Sequence, residues 1–405
     1  MTIAAGEPPR RGFQLGLLLH DTRYRSITIQ VVALVVLAAL LVFLGTNVVQ
    51  NLRALDKEFE FSFLWRRAGY DISQTLIPYT NNDTHARAAL VGILNTLLVA
   101  GLGIGLATVV GVIAGVLRLS KNWLVGRLMT VYVEVFRNVP LLLWIILVYA
   151  VLSESTPQPR DFAGEDPAAS MVLGLVAFTN RGTYVPWPVW GEGAPVLLLV
   201  LALSVLSIWA WRRYALARRA ATGRDFPILL VSLLLLVVPV TLAFLLLGRP
   251  LSFDVPTAGR FNFQGGVNVL NALVALWLAL SLYTGAFIAE IVRAGILAVS
   301  QGQTEAAYSL GLRPGRTTRL VVLPQALRVI VPPLISQYLN LTKNSSLAVA
   351  VGYADVRSTL GGVTMNQTAR ELECMLLLGL FYLAVSLGIS GVLNVYNRRI
   401  ALRER

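Results

Sequence analysis

Gln301 to Pro324 reads QGQTEAAYSLGLRPGRTTRLVVLP, a polar, arginine-bearing island between two long apolar runs. Its local chemistry describes a short helix that ends in a turn. Thr304 is suited to cap the helix N-terminus, and Glu305 then lies at the positive end of the helix dipole. Ala306 and Ala307 leave room for a close approach by another surface, and Gly311 permits the turn that stops the helix. Pro314 and Pro324 punctuate the chain beyond that turn. Such an element suits docking onto a partner; the alternative is an ordinary loop containing a chance helix.

Composition says what surrounds the island. A chain of 405 residues that is 56% hydrophobic and only 14% charged, with a mean hydropathy of +0.68, is too apolar for a soluble globular domain. It reads as an all-α, polytopic membrane protein. The formal net charge of +13 does not indicate nucleic acid, because the arginines fall between apolar runs and no basic, aromatic-interleaved domain is present. Cys374 is the single cysteine, so no disulfide forms within the chain, and His20 and His85 have no ligand-like neighbours. No metal site is expected.

Eight spans are expected, with both termini on the cytoplasmic side. They run near Ile27–Thr46, Leu90–Leu117, Leu128–Leu152, Ala194–Trp211, Pro227–Leu247, Val267–Ile291, Leu327–Val351 and Cys374–Val395. The head carrying Arg10, Arg11, Arg23 and Arg25 and the tail carrying Arg398, Arg399, Arg403 and Arg405 fit the positive-inside rule. The first apolar run is too long for a signal core and is read as an uncleaved span. Arg212, Arg213, Arg218, Arg219 and Arg224 come after the fourth span, as a solvated anchor or as a site for lipid headgroups.

Several polar residues interrupt the spans. Asn95 and Thr96 either line a pathway or bond to a neighbouring helix. Glu134 and Arg137 lie three apart and are expected to pair, with Pro140 close behind. Glu290 either pairs with Arg293 one helical turn away or faces a pathway. Thr342, Lys343, Asn344, Ser345 and Ser346 form a polar block in the outer third of the seventh span. Lys343 can snorkel as an anchor, but a buried ammonium costs at least about 2.5 kcal/mol, which favours a role for the block on a solute pathway.

Glu305, Ala306, Ala307, Gly311, Val321, Leu323 and Pro324 fall at the spacing of the EAA loop and resemble that signature in importer permeases of the ABC (ATP-binding cassette) superfamily. Val321 is the one departure, standing where that family usually has Ile. Arg137, Pro140, Leu141 and Leu142 resemble the Arg-x-x-Pro-Leu-Leu pattern of its polar amino-acid (histidine/glutamine-type) permeases, and the 343–347 stretch resembles their Lys-x-Ser/Thr-Ser-Leu pattern. The added first, fourth and fifth spans look most like the general L-amino-acid permease subunits of Gram-negative bacteria.

The resemblance implies a type I importer permease in the bacterial inner membrane that carries amino acids. Its organisation would be residues 1–89 as head, first span and outer loop; 90–152 as core helices; 153–266 as an insertion; 267–397 as core helices with the coupling loop 301–324; and 398–405 as a basic tail. Arg137 and Pro140 take structural or gating roles by family position. The only lysines are Lys57, Lys121 and Lys343, none after a Gly-rich phosphate loop, so the chain has no nucleotide site and no cofactor of its own. ATP and magnesium belong on two partner ATPase subunits. A second permease subunit, a periplasmic amino-acid-binding protein and membrane lipid complete the expected partners. An ion-coupled secondary transporter is the alternative; a membrane-embedded enzyme lacks convergent nucleophile, acid–base or metal residues.

Overall fold

The computed structural model describes residues 22–54, 59–164, 166–223 and 225–400. Arg10, Arg11, His20, Lys57, Arg224, Arg403 and Arg405 lie outside these. The chain divides into two compact units, at Phe63 and Leu64. The first holds helix α1 (Thr22–Ala54), longer than the expected span and apolar on all faces, as suits a helix surrounded by lipid.

In the second unit, α2 (His85–Leu117) starts where the Thr84 hydroxyl accepts the Arg87 N–H at 3.3 Å. It packs along α7 (Asn271–Leu297). Gly103, Ala107, Gly111 and Gly115 recur every four residues and form one ridge of α2. A Cβ at Gly111 would meet Ile288 at 2.6 Å, and one at Gly115 would meet the Ala289 carbonyl at 2.7 Å. The two backbones approach this closely because the ridge has almost no side chains.

The expected third span is two helices. α3 (Trp123–Asn138) and α4 (Leu141–Glu154) meet at 106°. Pro140 supplies no N–H, and its ring keeps Val139 extended (φ −104°, ψ 134°), so the helix breaks there. α3 lies across α7, with the Tyr132 hydroxyl donating to the Leu282 carbonyl at 2.7 Å. α4 runs on to the other end of α7, where Asn271 Nδ2 donates to the Leu152 carbonyl at 3.3 Å.

Between α4 and α7 lie strands that the sequence reading did not expect. β1 (Ala177–Thr179), β2 (Gly182–Val185) and β7 (Val267–Val269) form one antiparallel sheet, so α7 starts at Asn271 and not at Val267. β3 (Trp187–Trp190) pairs with β4 (Leu251–Asp254), and β5 (Thr257–Ala258) with β6 (Phe263–Gln264). The β3–β4 ladder ties the start of α5 (Ala194–Thr222) to the end of α6 (Ile228–Leu246). α5 continues well past Trp211, so Arg212, Arg213, Arg218 and Arg219 are helical and exposed. Arg219 pairs with Asp225 at 2.8 Å, and Arg213 stacks over Trp209.

After α8 (Gln301–Ser309) and α9 (Pro314–Thr317), a π-turn over Thr318–Val322 leads into α10 (Leu323–Asn344). A 3₁₀ stretch covers Ser345–Val351, and the segment to α13 (Glu371–Ile400) is not an open loop. It folds as α11 (Val356–Ser358), a second π-turn (Thr359–Thr364) and α12 (Met365–Thr368). Thr359 packs so closely on α2 that a Cβ at Gly92 would collide with its hydroxyl oxygen. Among the described residues seven helices are long and apolar enough to cross a membrane, or eight if α3 and α4 are one span.

Candidate functional site

The island folds as a short helix, but its start differs from expectation. α8 begins at Gln301 with Ser300 in the extended cap conformation, so Thr304 lies inside the helix and Glu305 beyond its first turn. The chain takes this earlier start because it re-enters a helix directly after α7, with the Gln303 N–H bonded to the Ser300 carbonyl at 3.1 Å. The stop is as expected. Gly311 has φ +74°, its N–H bonds to the Tyr308 carbonyl at 2.9 Å, and the Leu312 N–H reaches the Ala307 carbonyl at 3.2 Å. This reciprocal pair closes the last turn, and glycine takes the left-handed conformation at no steric cost. Glu305 and Ala306 are exposed while Ala307 is buried, so one face of α8 is held and the other is free.

Leu323 and Pro324 sit at the π-turn. The Leu323 N–H reaches back to the Thr318 carbonyl, one residue further than in an α-helix, and Pro324 has no N–H to offer. The wider turn also relieves the clash its ring would make with the preceding turn. Beyond the Gly311 turn, α9, the π-turn and α10 form one nearly continuous helical run that ends at the polar block.

Glu290 gathers three guanidinium groups. Arg293 Nη2 donates to Oε1 at 2.9 Å, Arg118 bonds Oε2, and Arg137 Nη1 lies 3.9 Å from Oε2. The expected pair between Glu134 and Arg137 is replaced: α3 turns Arg137 toward α7, where it lies 5.3 Å from the Phe287 ring centre, and Glu134 accepts from Asn138 at 3.3 Å. The carboxylate thus joins the end of α2, the break after α3, and α7 itself. Pro140 aims Arg137 here by ending α3.

Asn95 and Thr96 are fully buried and used within the fold. Asn95 Nδ2 donates to the Gln74 carbonyl at 2.8 Å and the Ala354 carbonyl at 2.9 Å, and the Thr96 hydroxyl accepts the Val356 N–H at 3.0 Å. They fasten the 354–356 segment onto α2. Sequence reading missed Asp355, which is buried there, although Asp with Ser three positions later is a capping pattern. Asp355 Oδ1 accepts the Ser358 N–H at 2.8 Å, and burial pushes its carboxyl up to about 6.

Lys343, Asn344, Ser345 and Ser346 occupy the change from α to 3₁₀ helix. Ser345 donates to the Thr342 carbonyl and Ser346 to the Lys343 carbonyl, both at 2.7 Å, while Lys343 is exposed and Asn344 half-buried. A Cβ at Gly103 would meet Leu341 at 3.1 Å, so the residue just before the block packs near the middle of α2. Glu290 lies near the end of α2, at another level by about 15 Å at 1.5 Å per residue. The structure therefore brings Asn95 and Thr96 together with 354–356, and Glu290 with Arg118, Arg137 and Arg293, but keeps Glu290 and Lys343 apart. Among the described residues no group of His, Cys, Asp and Glu is gathered to hold a metal ion.

Residues 107–402 match the family described as "Binding-protein-dependent transport system inner membrane component". The chain is 56% identical to the glutamate/glutamine/aspartate/asparagine transport system permease protein BztB of Rhodobacter capsulatus, covering 99% of both chains. It is 45% identical to the general L-amino acid transport system permease protein AapQ of Rhizobium johnstonii, over 97% of this chain and 96% of that one. It is 44% identical to the putative amino-acid ABC transporter permease protein YhdX of Escherichia coli, over 94% and 95%. With its apolar helices, its α8 turn and this near full-length similarity, the chain belongs to the family of inner-membrane permease components of binding-protein-dependent ABC transport systems.

Proposed function

We propose that this chain is one of two permease subunits of an importer that carries amino acids across the bacterial inner membrane, driven by ATP hydrolysed on separate ATPase subunits with magnesium. Both termini and α8 face the cytoplasm, and a periplasmic amino-acid-binding protein delivers the cargo. Glu305, Ala306, Ala307 and Gly311 form the surface seated in the ATPase, with Leu323 and Pro324 closing it. Lys343, Asn344, Ser345 and Ser346 face the solute pathway, where the Lys343 ammonium suits a cargo carboxylate. Arg137 and Pro140 hold the α3–α4 break, and Glu290 clasps it to α7. Asn95 and Thr96 shape the pathway mouth through the segment they fasten. Residues 153–266 are an insertion into this core.

The observation that carries this reading is the free face of α8 at Glu305 and Ala306, linked through the Gly311 turn to a helical run that starts at Pro314 and reaches the Lys343–Ser346 block. A rigid run between the two ends can convert displacement of α8 into movement at the block. The test is uptake of labelled amino acids into proteoliposomes holding this chain, its second permease, the ATPase subunits and the binding protein. ATP-dependent uptake is expected. Glu305→Lys or Gly311→Asp is expected to abolish it while ATP hydrolysis persists and insertion is normal. Uptake that ignores the ATPase subunits and tracks an ion gradient would overturn the proposal in favour of a secondary transporter.

A further inference from the structure

The segment after α8 carries a wall of cations. Arg313, Arg316 and Arg319, with Gly315 and Leu320, line a cavity of about 610 Å³. No carboxylate contributes to the lining, and none of the three arginines has an ion-pair partner among the described residues. The neighbouring hydroxyls are turned away: Thr317 donates to the Arg313 carbonyl at 3.2 Å and Thr318 to the Pro314 carbonyl at 3.0 Å. Three arginines, one glycine and one leucine make up the lining.

The depth of this cavity is set by the other side of the same turn. Thr318, Val322 and Leu323 share a second cavity with Val116, Leu117, Leu119 and Ser120 at the end of α2, and with Ile296 at the end of α7. The helical run therefore passes the level at which α2 and α7 both give out. Beyond that level the chain that leaves α2 carries Lys121, a residue type that marks the boundary between hydrocarbon and headgroups. Arg316 and Arg319 thus stand at headgroup depth, and Leu320 beside them is 61% exposed, which suits contact with the upper part of an acyl chain. A planar guanidinium fork matches a phosphate group in two parallel bonds.

We propose that Arg313, Arg316 and Arg319 form a binding site for the phosphodiester headgroup of an anionic phospholipid in the leaflet on the α8 side. Lipid at this site bears on the docking helix. Leu320 also lines the adjoining cavity with Gln303 of α8 and Gln325 of α10, and Gln325 Nε2 donates to Gln303 Oε1 at 3.4 Å. A bound headgroup therefore steadies α8 against α10, and a membrane poor in anionic lipid leaves that junction looser. The inference stands whether or not amino acids are the cargo, because it is read from lipid binding and not from transport.

The test is native mass spectrometry of the full-length chain in detergent, titrated with phosphatidylglycerol, phosphatidylcholine or inorganic phosphate. Phosphatidylglycerol is expected to bind in preference to phosphatidylcholine, and inorganic phosphate is expected to compete poorly. Each arginine near an anionic surface is worth about fivefold in affinity, so R313Q/R316Q/R319Q is expected to weaken that adduct about a hundredfold. R181Q/R260Q, which removes two exposed charges from the β1–β2 and β5–β6 turns, should leave it unchanged. If the triple variant does not insert, R316Q alone and the fall in native-chain adduct with added salt give the same reading. Equal binding of the two lipids, full retention in R313Q/R316Q/R319Q, or equal loss in R181Q/R260Q overturns the proposal. So does inorganic phosphate competing as strongly as the lipid, which makes this a free-anion site.

Discussion

Substituting Gly111 with alanine adds one methyl group where α2 and α7 leave no room for it. The new Cβ would lie 2.6 Å from both Cβ and Cγ2 of Ile288 and 2.8 Å from the Gly285 carbonyl oxygen. Ordinary carbon contacts begin near 3.5 Å, so the helices must separate locally by close to 1 Å. A gap of that size forfeits a quarter to a half of the dispersion energy of each contact it opens, and overpacking of this kind costs about 1–3 kcal/mol. Against that, alanine gains up to about 1 kcal/mol over glycine in helix propensity. The net expectation is a loss of about 1–2 kcal/mol. Gly105 is the internal control: it lies six positions earlier on α2, and an added Cβ there meets nothing within 4 Å. Gly105→Ala should be neutral or stabilising. Denaturant-induced unfolding of the purified variants in one detergent compares the two directly, because the propensity gain is common to both. If Gly111→Ala is as stable as Gly105→Ala, the close approach of α2 and α7 does not hold this bundle together and the reasoning fails.

Three further outcomes rest on the same geometry. Glu290→Gln leaves Arg118, Arg137 and Arg293 without their shared carboxylate, and is expected to destabilise the protein by about 2–3 kcal/mol, discounted from the buried-pair range for partial exposure; a variant that unfolds with the native chain would show that the clasp holds nothing. Thr96→Val removes the acceptor of the Val356 N–H, at a cost of about 1–3 kcal/mol, and hydrogen exchange at Val356 should accelerate while that of α7 does not. Asp355 has a folded-state pKa of about 6 against an ordinary 3.8, so the folded protein holds the proton more tightly. Its contribution to stability is full below about pH 4 and is lost as pH rises through about 6; Asp355→Asn should flatten that part of a stability–pH curve, which the native chain must show.

What could be read in advance divides by range. The stop at Gly311 was legible because a left-handed glycine after a short polar helix is a local property of the chain. The spans were legible because length and hydropathy are local too. The break at Pro140 was written in Val139-Pro140, yet an apolar run on either side argued for one span, and the backbone restriction before proline prevailed. The start of α8 was misplaced because two cap residues, Ser300 and Thr304, compete, and the nearer to α7 takes the role. The partners of Glu290 were not legible at all. Arg293 lies three positions away, but Arg118 comes from 172 residues earlier and Arg137 from a different helix again, and only the packing of α2 and α3 on α7 brings them in. The strands between α4 and α7 are two to four residues long, and two of their ladders, β2–β7 and β3–β4, close across α5 and α6, which leaves little alternation to detect.

The π-turn over Thr318–Val322 has a bearing on how the EAA signature is spaced. A π-turn holds one residue more than the α-turn it replaces, and each residue of an α-helix advances the azimuth by 100°. Everything before Thr318 is thereby phased differently from everything after Leu323. Deleting any single residue between Thr318 and Val322 would restore a plain α-helix and swing α9 and α8 around the α10 axis by about 100°. The interval between Gly311 and Leu323-Pro324 acts as a phase setting: it fixes the compass bearing at which the α8 surface is presented, independently of what that surface is made of.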